Sequence, residues 1–533
     1  MKRSKRFLVV VLSLALLAGV VATGAGALAP EKHWVGSWSA GMTDISISLL
    51  EGQENSDGLR LSAFAKNMTA RIRLTPTLGG DRLRFCLSNE NGTAPLVLHE
   101  VSIARAAGDS GSSIVEGSSI PVTFGGSREV TIPAGEIVYC DPVEMEVHAL
   151  EDLCVTYYVQ DFGRVETMAL YGGTTYLTLG NKTESTDFVG LKLSFGTLVS
   201  VVPLLSGLDV YADEDAYSIV VIGDSTTSND IPKLLAKRII EETGENKVGV
   251  LQKSIVGNCL LNDGAGAVGN IYGKAMLSRF QKDALEQPGV KYTLVKIGLN
   301  DILHPLCKSM EGIAPKVTAE DVIAGYRQLI EMAHHAGVKI VFAESSPWKG
   351  YTRDLLKTGN ADLEWTPEAQ QMCDDLTQWI RTTEESDGSI NLDCLKDPED
   401  PTKMPDGYTS DGAHLLPPAQ EAFVASIDLS LFGVDVSQAP SVTETTQQDV
   451  SEPAEEPVST TAAPAVEETL PEATELETGA ETLPVDDATA EEDTDGVPAP
   501  LEIADTGDSL MVGGAMLAVL SACGLLLVTR KRK

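Results

Sequence analysis

The chain of 533 residues is 43% hydrophobic and 22% charged, which leaves room for two folded domains and for terminal extensions. It carries 40 basic and 77 acidic side chains, and its formal net charge is −37. A field of this sign repels phosphate backbones, so we expect no nucleic-acid partner.

The chain begins with a basic segment that is followed by an apolar one. Four basic residues within the first six precede the apolar run 7–21, and small residues continue to Ala29. This order is typical of a secretory signal peptide, which we predict at residues 1–29. An uncleaved N-terminal membrane helix is the alternative interpretation.

The first folded region consists of short runs rich in β-branched residues. Examples are the runs 71–74, 82–85, 96–98 and 155–159, which are separated by turns of Gly, Asn, Asp and Ser. Short alternating strands of this kind predict an all-β domain, a sandwich or a jelly roll, which we place at residues 30–205. No catalytic side chains are concentrated in it.

A second pattern, of apolar strands alternating with helices, begins near residue 215. Strands are expected at 218–222, 248–251, 292–297 and 339–343. Helices are expected near 231–244, 274–286, 319–337, 363–385 and 417–429. Continuous apolar strands are typical of sheets that are buried on both faces, so we predict an α/β domain with a parallel sheet at residues 215–433.

The C-terminal part has the composition of a stalk. Residues 436–500 contain no aromatic and no basic residue, and the stretch 436–505 holds 19 acidic residues. Such a segment buries too little apolar surface to fold, so we predict a disordered acidic stalk rich in Pro and Thr over residues 436–500.

Residues 501–533 have the features of a surface anchor. The apolar run from Leu510 to Val528 is long enough to span a bilayer, and four basic residues follow it. The preceding residues 503–507 resemble a Gram-positive cell-wall sorting signal that has lost its Leu and Pro, so processing by sortase stays open. We expect an extracellular protein that is attached to the membrane or cell wall of a Gram-positive bacterium.

The eight cysteines are widely and irregularly spaced. Cys523 lies in the predicted span, and the other seven include no CxxC pair. These spacings predict neither a zinc site nor a dense disulfide framework, although one pair such as Cys373 and Cys394 could form a bridge.

A Gly-Asp-Ser tripeptide marks the start of the candidate site. Gly223-Asp224-Ser225 stands between a predicted buried strand and a helix, which places the Ser hydroxyl at the carboxyl edge of the parallel sheet. The same tripeptide recurs at 108–110 and at 507–509, so the sequence context and not the tripeptide selects Ser225.

Three further groups follow in order along the same domain. A Ser nucleophile needs a base, and a His base needs a carboxylate that fixes its tautomer. The spacing of three residues between Asp411 and His414 allows this contact, so we predict a catalytic triad of Ser225, His414 and Asp411. The backbone N–H groups of Ser225 and Gly257 and the side-chain amide of Asn300 are predicted to form the oxyanion hole.

This set of residues resembles the SGNH, or GDSL-type, hydrolase family, whose four named residues correspond here to Ser225, Gly257, Asn300 and His414. The resemblance covers about residues 33–432, because segments such as 34–38 and 87–96 are similar to the β-rich leader of two-domain bacterial members. It implies a flavodoxin-like parallel sheet with flanking helices. It also implies ester hydrolysis through an acyl-enzyme, without a metal or cofactor.

The sequence departs from the family pattern at two places near the nucleophile. Thr226 and Thr227 replace the usual Leu, and Cys259 stands where members with this leader often carry Arg. These departures leave the substrate preference open.

Several other side chains are candidates for substrate binding. Trp348 and Tyr351 could line a substrate groove, although packing is the preferred interpretation, and Cys259 is a third candidate, with a buried inert thiol as the preferred interpretation. Asp224 and Asp301 are interpreted as residues that shape their loops. His304 is interpreted as a surface residue, with a place in the lining of the pocket as the alternative.

Together these features predict a secreted, surface-anchored serine esterase. An acidic, wall-tethered enzyme with a β-rich leader suits short acyl esters on polysaccharide, so O-deacetylation of a glycan is the preferred function. The expected partners are a small ester or an acylated polysaccharide, and the membrane or cell wall. A lipase or lysophospholipase for longer acyl chains and an inactive carbohydrate-binding surface protein are the alternatives.

Overall fold

A computed structural model of the chain describes residues 31–48, 60–195, 199–266, 269–354 and 359–438. The predicted signal peptide, sorting-like segment and transmembrane span lie outside these ranges, as does the predicted stalk beyond residue 438, so these assignments stay predictions. Within the described ranges, no helix has both the length and the apolar character needed to cross a bilayer.

The N-terminal part, residues 31–213, is built almost wholly of strands and is called here the β-half. Its strands are β1 (Lys32–Ser39), β2 (Met42–Asp44), β3 (Ile47–Ser48), β4 (Arg60–Leu61), β5 (Ala63–Ala65), β6 (Met68–Leu74), β7 (Leu83–Ser88), β8 (Leu96–Leu98), β9 (Glu100–Arg105), β10 (Ile120–Pro121), β11 (Val130–Ile132), β12 (Ile137–Tyr139), β13 (Leu153–Val159), β14 (Gly163–Val165), β15 (Thr167–Leu170), β16 (Thr174–Leu179), β17 (Leu191–Phe195), β18 (Val199–Pro203) and β19 (Leu205–Asp213).

Two antiparallel sheets form most of the β-half. One has the strand order β1-β19-β7-β12 and the other β10-β9-β13-β6-β16-β17-β18-β15-β2. Their facing side chains share a core that includes Ile72, Phe85, Val155 and Leu208. The predicted all-β region is therefore confirmed, and β19 continues beyond the predicted domain boundary at residue 205.

The second part, residues 217–438, alternates strands with helices and is called here the α/β half. Its strands are β20 (Tyr217–Gly223), β21 (Val248–Gln252), β22 (Val290–Lys296), β23 (Lys339–Ala343) and β24 (Gly388–Ile390). Its α-helices are α1 (Ile231–Thr243), α2 (Met276–Phe280), α3 (Leu299–Leu303), α4 (Ala319–His335), α5 (Pro367–Thr382) and α6 (Pro417–Ala425). A π-turn continues α2 over Gln281–Leu285, and 3-10 turns lie at Gly269–Tyr272, His304–Leu306, Lys308–Met310, Asp393–Leu395, Leu429–Phe432 and Val436–Gln438.

The five strands of the α/β half form one parallel sheet in the order β21-β20-β22-β23-β24. In chain order this is 2-1-3-4-5, the arrangement of flavodoxin-like folds, as predicted. Successive residues of β20 point to opposite faces: Val220 and Ile222 enter one hydrophobic core, and Ile219 and Val221 the other. The five predicted helices are present, whereas the short α3 and β24 were not predicted.

The β-half covers the open edge of the parallel sheet. Thr77 Oγ1 accepts a hydrogen bond from the Val250 N–H at 2.8 Å, and Ser39 Oγ donates to the Gln252 carbonyl at 2.9 Å. The Val250 N–H and the Gln252 carbonyl belong to the edge strand β21, whose backbone groups would otherwise face solvent. The β-half therefore supports the strand that leads into Gly257.

All seven cysteines within the described residues are unpaired, and six of them are buried. Cys373 is buried and Cys394 is exposed, so the bridge considered for them is not formed.

Candidate active site

The nucleophile candidate lies in a tight turn at the carboxyl end of the central strand β20. At Gly223 an added Cβ would lie 2.3 Å from the Lys296 carbonyl oxygen, so glycine lets the chain leave the sheet close to β22. The Asp224 carboxylate then accepts a hydrogen bond from the Thr226 N–H at 2.8 Å. This confirms that Asp224 shapes the turn, and it fixes the position of Ser225.

The predicted triad residues lie in hydrogen-bond contact. Ser225 Oγ is 2.9 Å from His414 Nε2, and His414 Nδ1 is 2.6 Å from Asp411 Oδ2. The other carboxylate oxygen of Asp411 accepts hydrogen bonds from the N–H groups of Ala413 at 3.0 Å and His414 at 2.9 Å. One turn thus fixes both the carboxylate and the imidazole, as the spacing of three residues predicts.

The negative charge of the Asp411 carboxylate is stabilised next to the His414 imidazole. Burial by itself raises the pKa of Asp411, but the hydrogen bond and charge of His414 and the two backbone N–H groups outweigh burial and hold this pKa below its usual range. Asp411 is therefore ionised at neutral pH. An ionised carboxylate on Nδ1 leaves Nε2 of His414 free to accept a proton from Ser225.

The predicted oxyanion residues Ser225, Gly257 and Asn300 lie on the segments that follow β20, β21 and β22. Gly257 has a φ of +69°, and an added Cβ would lie 2.2 Å from the Tyr272 ring, so this position requires glycine. Within the described residues, neither the Ser225 N–H nor the Gly257 N–H donates a hydrogen bond. Asn300 Nδ2 donates to the Asn258 carbonyl at 3.1 Å and to Asp224 at 3.3 Å.

The amino-acid sequence of this region also matches a known protein family. Residues 221–422 match the GDSL-like Lipase/Acylhydrolase family. The α/β half is a GDSL-like acylhydrolase domain. No curated protein matches the chain significantly.

Solved structures that resemble the acylhydrolase domain include two bacterial proteins. One is Axe2, an acetylxylan esterase from Geobacillus stearothermophilus, with 14% identity, coverage of 43% of this chain and 99% of that one, and a TM-score of 0.31. Another is a GDSL-like lipase from Bacteroides thetaiotaomicron, with 14% identity, coverage of 40% and 88%, and a TM-score of 0.28. Likenesses at this level carry no information on the substrate of the present chain.

A buried arginine that the sequence analysis missed holds the oxyanion loop of the acylhydrolase domain. Arg279, on α2, donates to Asn258 Oδ1 at 2.8 Å and to the Lys253 carbonyl at 2.8 Å. Asn258 in turn donates to the Tyr272 carbonyl at 2.7 Å. The sequence offers two signals, a charged residue within the largely apolar segment 276–280 and the opposite charge of Asp283 four residues later. Both are also common on exposed helices.

A second missed residue, Lys296, explains the departure from Leu after the nucleophile. Its ammonium group is buried and donates to Thr226 Oγ1, which itself donates to Asp224 at 2.7 Å. Burial lowers the pKa of Lys296, and the charge of Asp224 opposes this change. A Leu at position 226 would remove this link between the two charged groups.

Asp301 orients the α3 segment that carries Asn300, as the sequence predicts. Its carboxylate accepts hydrogen bonds from the N–H groups of Leu260 at 2.7 Å and Leu261 at 2.9 Å. Burial raises the pKa of Asp301 to about 7, although both hydrogen bonds act against the increase. The carboxylate thus ties the Asn300 segment to the loop that follows Gly257.

Two of the three candidates for substrate binding are placed in the interior. Trp348 has no exposed surface, so it packs in the core and cannot contact a substrate in this structure. Cys259 is 4% exposed, and burial raises the pKa of its thiol well above the usual value. Tyr351 lies beside the triad, with its ring edge-on to His414 at a centroid distance of 5.6 Å.

His304 is buried, which corrects its interpretation as a surface residue. It is 4% exposed, its Nδ1 lies 3.4 Å from Cys259 Sγ, and its ring packs against Tyr272. Burial, together with the charge of Arg353, lowers the pKa of His304 to about 3. Within the described residues, no group of three or more His, Cys, Asp and Glu side chains is arranged to bind a metal ion.

The buried neutral His304 is expected to make the protein less stable in acid. Its pKa in the folded state lies below that of the unfolded chain, so the unfolded state binds more protons between about pH 6.5 and 3. From pH 7 to 5, the free energy of unfolding should fall by about 1–2 kcal/mol more in the wild type than in His304→Gln. Urea titrations at both pH values measure this difference, and equal losses in the two proteins would contradict it.

Proposed function

We propose that this protein is a serine esterase that removes short acyl groups, above all O-acetyl groups, from carbohydrate. The observation that carries the proposal is the hydrogen-bonded series Ser225, His414 and Asp411 in a GDSL-like acylhydrolase domain. Because a Ser hydroxyl in contact with an oriented His is the arrangement of acyl-transfer enzymes, it supports a covalent mechanism.

In the first step, His414 Nε2 takes the proton of Ser225 as Oγ attacks the ester carbonyl carbon. The carbonyl oxygen becomes an oxyanion, which accepts hydrogen bonds from the N–H groups of Ser225 and Gly257 and from Asn300 Nδ2. His414 then gives its proton to the alcohol oxygen, which leaves as the bond to the acyl carbon breaks. Asp411 stabilises the positive imidazole between the two transfers.

In the second step, water releases the acyl group. His414 takes a proton from water, whose oxygen attacks the acyl carbon and restores the oxyanion in the same position. The bond to Ser225 Oγ breaks, the serine recovers its proton from His414, and the free acid departs. No other reactant is needed.

The distribution of exposed apolar side chains supports a short acyl group. The large exposed hydrophobic residues in the described ranges are Val115, Tyr139, Phe162, Val189, Leu191, Leu306, Ile313 and Val436. None of them belongs to the segments 223–228, 256–259, 298–301 or 411–414, which carry the triad and oxyanion groups. A long acyl chain needs a continuous apolar surface near the nucleophile, whereas an acetyl group does not.

The charge of the chain supports carbohydrate over lipid. The net charge of −37 repels anionic lipid surfaces and leaves neutral polymers unaffected. We further propose that residues 1–29 direct secretion and that the span 510–528 holds the enzyme at the membrane or cell wall, with the stalk 436–500 as the spacer.

Asn300→Ala is expected to lower kcat by about 10²–10³-fold while changing KM little, because the amide donor acts on the oxyanion and not on the bound ester. Steady-state kinetics on p-nitrophenyl acetate measures both constants. A loss confined to KM would show that Asn300 binds substrate and does not stabilise the transition state.

A series of p-nitrophenyl esters, from acetate to palmitate, tests the proposed acyl preference in the wild-type protein. We expect kcat/KM to be highest for acetate and to fall with each longer chain. Maximal activity on long chains would replace the proposal by a lipase or lysophospholipase. Absence of activity on every ester would favour a surface protein that binds carbohydrate without cleaving it.

A further inference from the structure

A cleft of about 570 Å³ lies between the β-half and the α/β half. The β-half contributes the loop residue Asp109 and the aromatic residues Tyr171 and Tyr176, and the α/β half contributes Asn229 and Lys233 at the start of α1. Its volume falls in the range of sites that bind small molecules. Neither the triad nor the oxyanion groups line it, so it is a separate feature of the surface.

The cleft is adjacent to the proposed active site. Ser228, on its wall, donates to the Ser225 carbonyl at 3.0 Å, and Gln420, also on its wall, donates to the Leu415 carbonyl next to His414 at 2.8 Å. Tyr171 lines the cleft, and burial together with the charge of Asp411 raises the pKa of its phenol. The wall of the cleft is thus bonded directly to the segments that carry Ser225 and His414.

The lining is polar, and its charges balance. It includes three basic residues and three aspartates: Arg73, Lys192, Lys233, Asp109, Asp152 and Asp230. Within the described part of the chain, the side chains of Asp109, Lys192, Asn229 and Lys233 form no hydrogen bond or ion pair with another residue. Balanced charges favour neither a polyanion nor a polycation, and free donors and acceptors suit a ligand with many hydroxyl groups.

Hydrogen bonds to the neighbouring strands fix the loop that carries Asp109. Arg73 donates to the Ala107 carbonyl at 3.2 Å and also to the Gly108 carbonyl, and it pairs with Asp152 at 2.7 Å. The Gly111 N–H donates to the Tyr176 hydroxyl at 3.2 Å. The Gly-Asp-Ser tripeptide at residues 108–110 thus presents Asp109 to the cleft on a supported loop.

Tyr171 adopts a conformation that glycine would adopt at lower cost. Its φ is +79°, in the left-handed region that bulky side chains rarely occupy. Two neighbours hold it there: the Tyr171 N–H donates to the Ser200 carbonyl at 2.9 Å, and Trp38 Nε1 donates to the Gly172 carbonyl at 2.7 Å. Backbone strain of this kind is concentrated at functional sites, and here it occurs at an aromatic residue that lines the cleft.

We propose that this cleft binds the neutral carbohydrate chain whose acyl group Ser225 removes. The Tyr171 and Tyr176 rings offer apolar faces for sugar rings, and the unpaired side chains of Asp109, Lys192 and Asn229 bind hydroxyl groups. The identity of the cleaved substrate rests on the proposed esterase function. Binding of the sugar chain does not, because the cleft contains no triad residue.

Binding is measured by calorimetry on Ser225→Ala, which cannot turn over an ester, with xylohexaose, cellohexaose and N-acetylchitohexaose as probes. We expect at least one of them to bind, and Asp109→Ala or Lys192→Ala in this background to weaken the Kd by about tenfold, the loss of one good hydrogen bond to a charged group. The matched controls are Glu116→Ala and Lys316→Ala, which remove exposed charges outside the cleft and should leave the Kd unchanged. Circular dichroism verifies that all variants are folded.

The proposal would be overturned if no hexasaccharide bound at 10 mM, or if both cleft variants bound it as well as the parent protein. The esterase assay tests the proposed catalytic function independently of this result. Conversely, hexasaccharide binding that the cleft variants weaken, in a protein that hydrolyses no ester, would support the cleft and reject the esterase function. In the active enzyme, the cleft variants should lower kcat/KM at least about tenfold more for acetylated xylo-oligosaccharide than for p-nitrophenyl acetate.

Discussion

Ser225→Ala is expected to lower kcat for p-nitrophenyl acetate by about 10⁴–10⁶-fold, to a rate that reflects the oxyanion hole and binding alone. The reason is that Oγ forms the covalent bond to the acyl group, and the methyl group of Ala cannot. Initial rates at high enzyme concentration measure the residual activity. The matched control is Ser509→Ala, which alters the Gly-Asp-Ser tripeptide at 507–509 and should leave kcat unchanged.

The fold should tolerate the loss of the Ser225 hydroxyl. Its hydrogen-bond partner in the structure is His414 Nε2, which is half-buried and can bond to water instead. We therefore expect a Tm within about 4 °C of wild type, which corresponds to less than about 1 kcal/mol. Full activity in a folded Ser225→Ala protein would contradict the assigned nucleophile.

Asp411→Asn is expected to lower kcat by about 10³–10⁴-fold. The Asn oxygen can still accept the N–H groups of Ala413 and His414, so the turn should keep its shape. Its amide group, however, would face His414 Nδ1 as a donor and would favour the tautomer that carries its proton on Nε2. That tautomer cannot accept the proton of Ser225.

Kinetics at several pH values distinguishes this tautomer effect from a distorted turn. Activity should recover in part at high pH, where hydroxide replaces the missing base, whereas a misfolded turn gives no such recovery. Asp406→Asn, an exposed carboxylate on the same loop, is the matched control and should keep its kcat. A loss of less than tenfold in Asp411→Asn would mean that Asp411 does not orient the imidazole.

The triad could be predicted from the sequence because its geometry is largely local. Asp411 and His414 lie on one turn, and Ser225 follows a strand with a continuous apolar run. Parallel strands all end at one edge of the sheet, so Ser225, Gly257 and Asn300 had to come together once the sheet was predicted. The flavodoxin-like strand order came from the resemblance to the SGNH family.

The support of the site depends on contacts between distant segments, which a sequence pattern does not specify. Arg279 and Lys296 are buried charges. Arg279 pairs with Asp283 on its own segment, but the contacts of Arg279 with Asn258 and of Lys296 with Thr226 join distant segments. Charged residues in a sequence are more often exposed. His304 was interpreted as a surface residue because no apolar period or motif around it marks a core position, whereas Trp348 packs in the core, as preferred. The cleft depends on the β-half, whose long-range strand order the sequence did not determine.

The central claim is that His414 activates Ser225 as a nucleophile, and labelling with diisopropyl fluorophosphate tests it most directly. His414 would take the serine proton as Oγ bonds to phosphorus and fluoride leaves, and mass spectrometry of the digested protein locates the adduct. We predict one adduct, on Ser225, that His414→Ala reduces to background. An adduct on any other serine, or one on Ser225 that forms as fast in His414→Ala, would contradict the account.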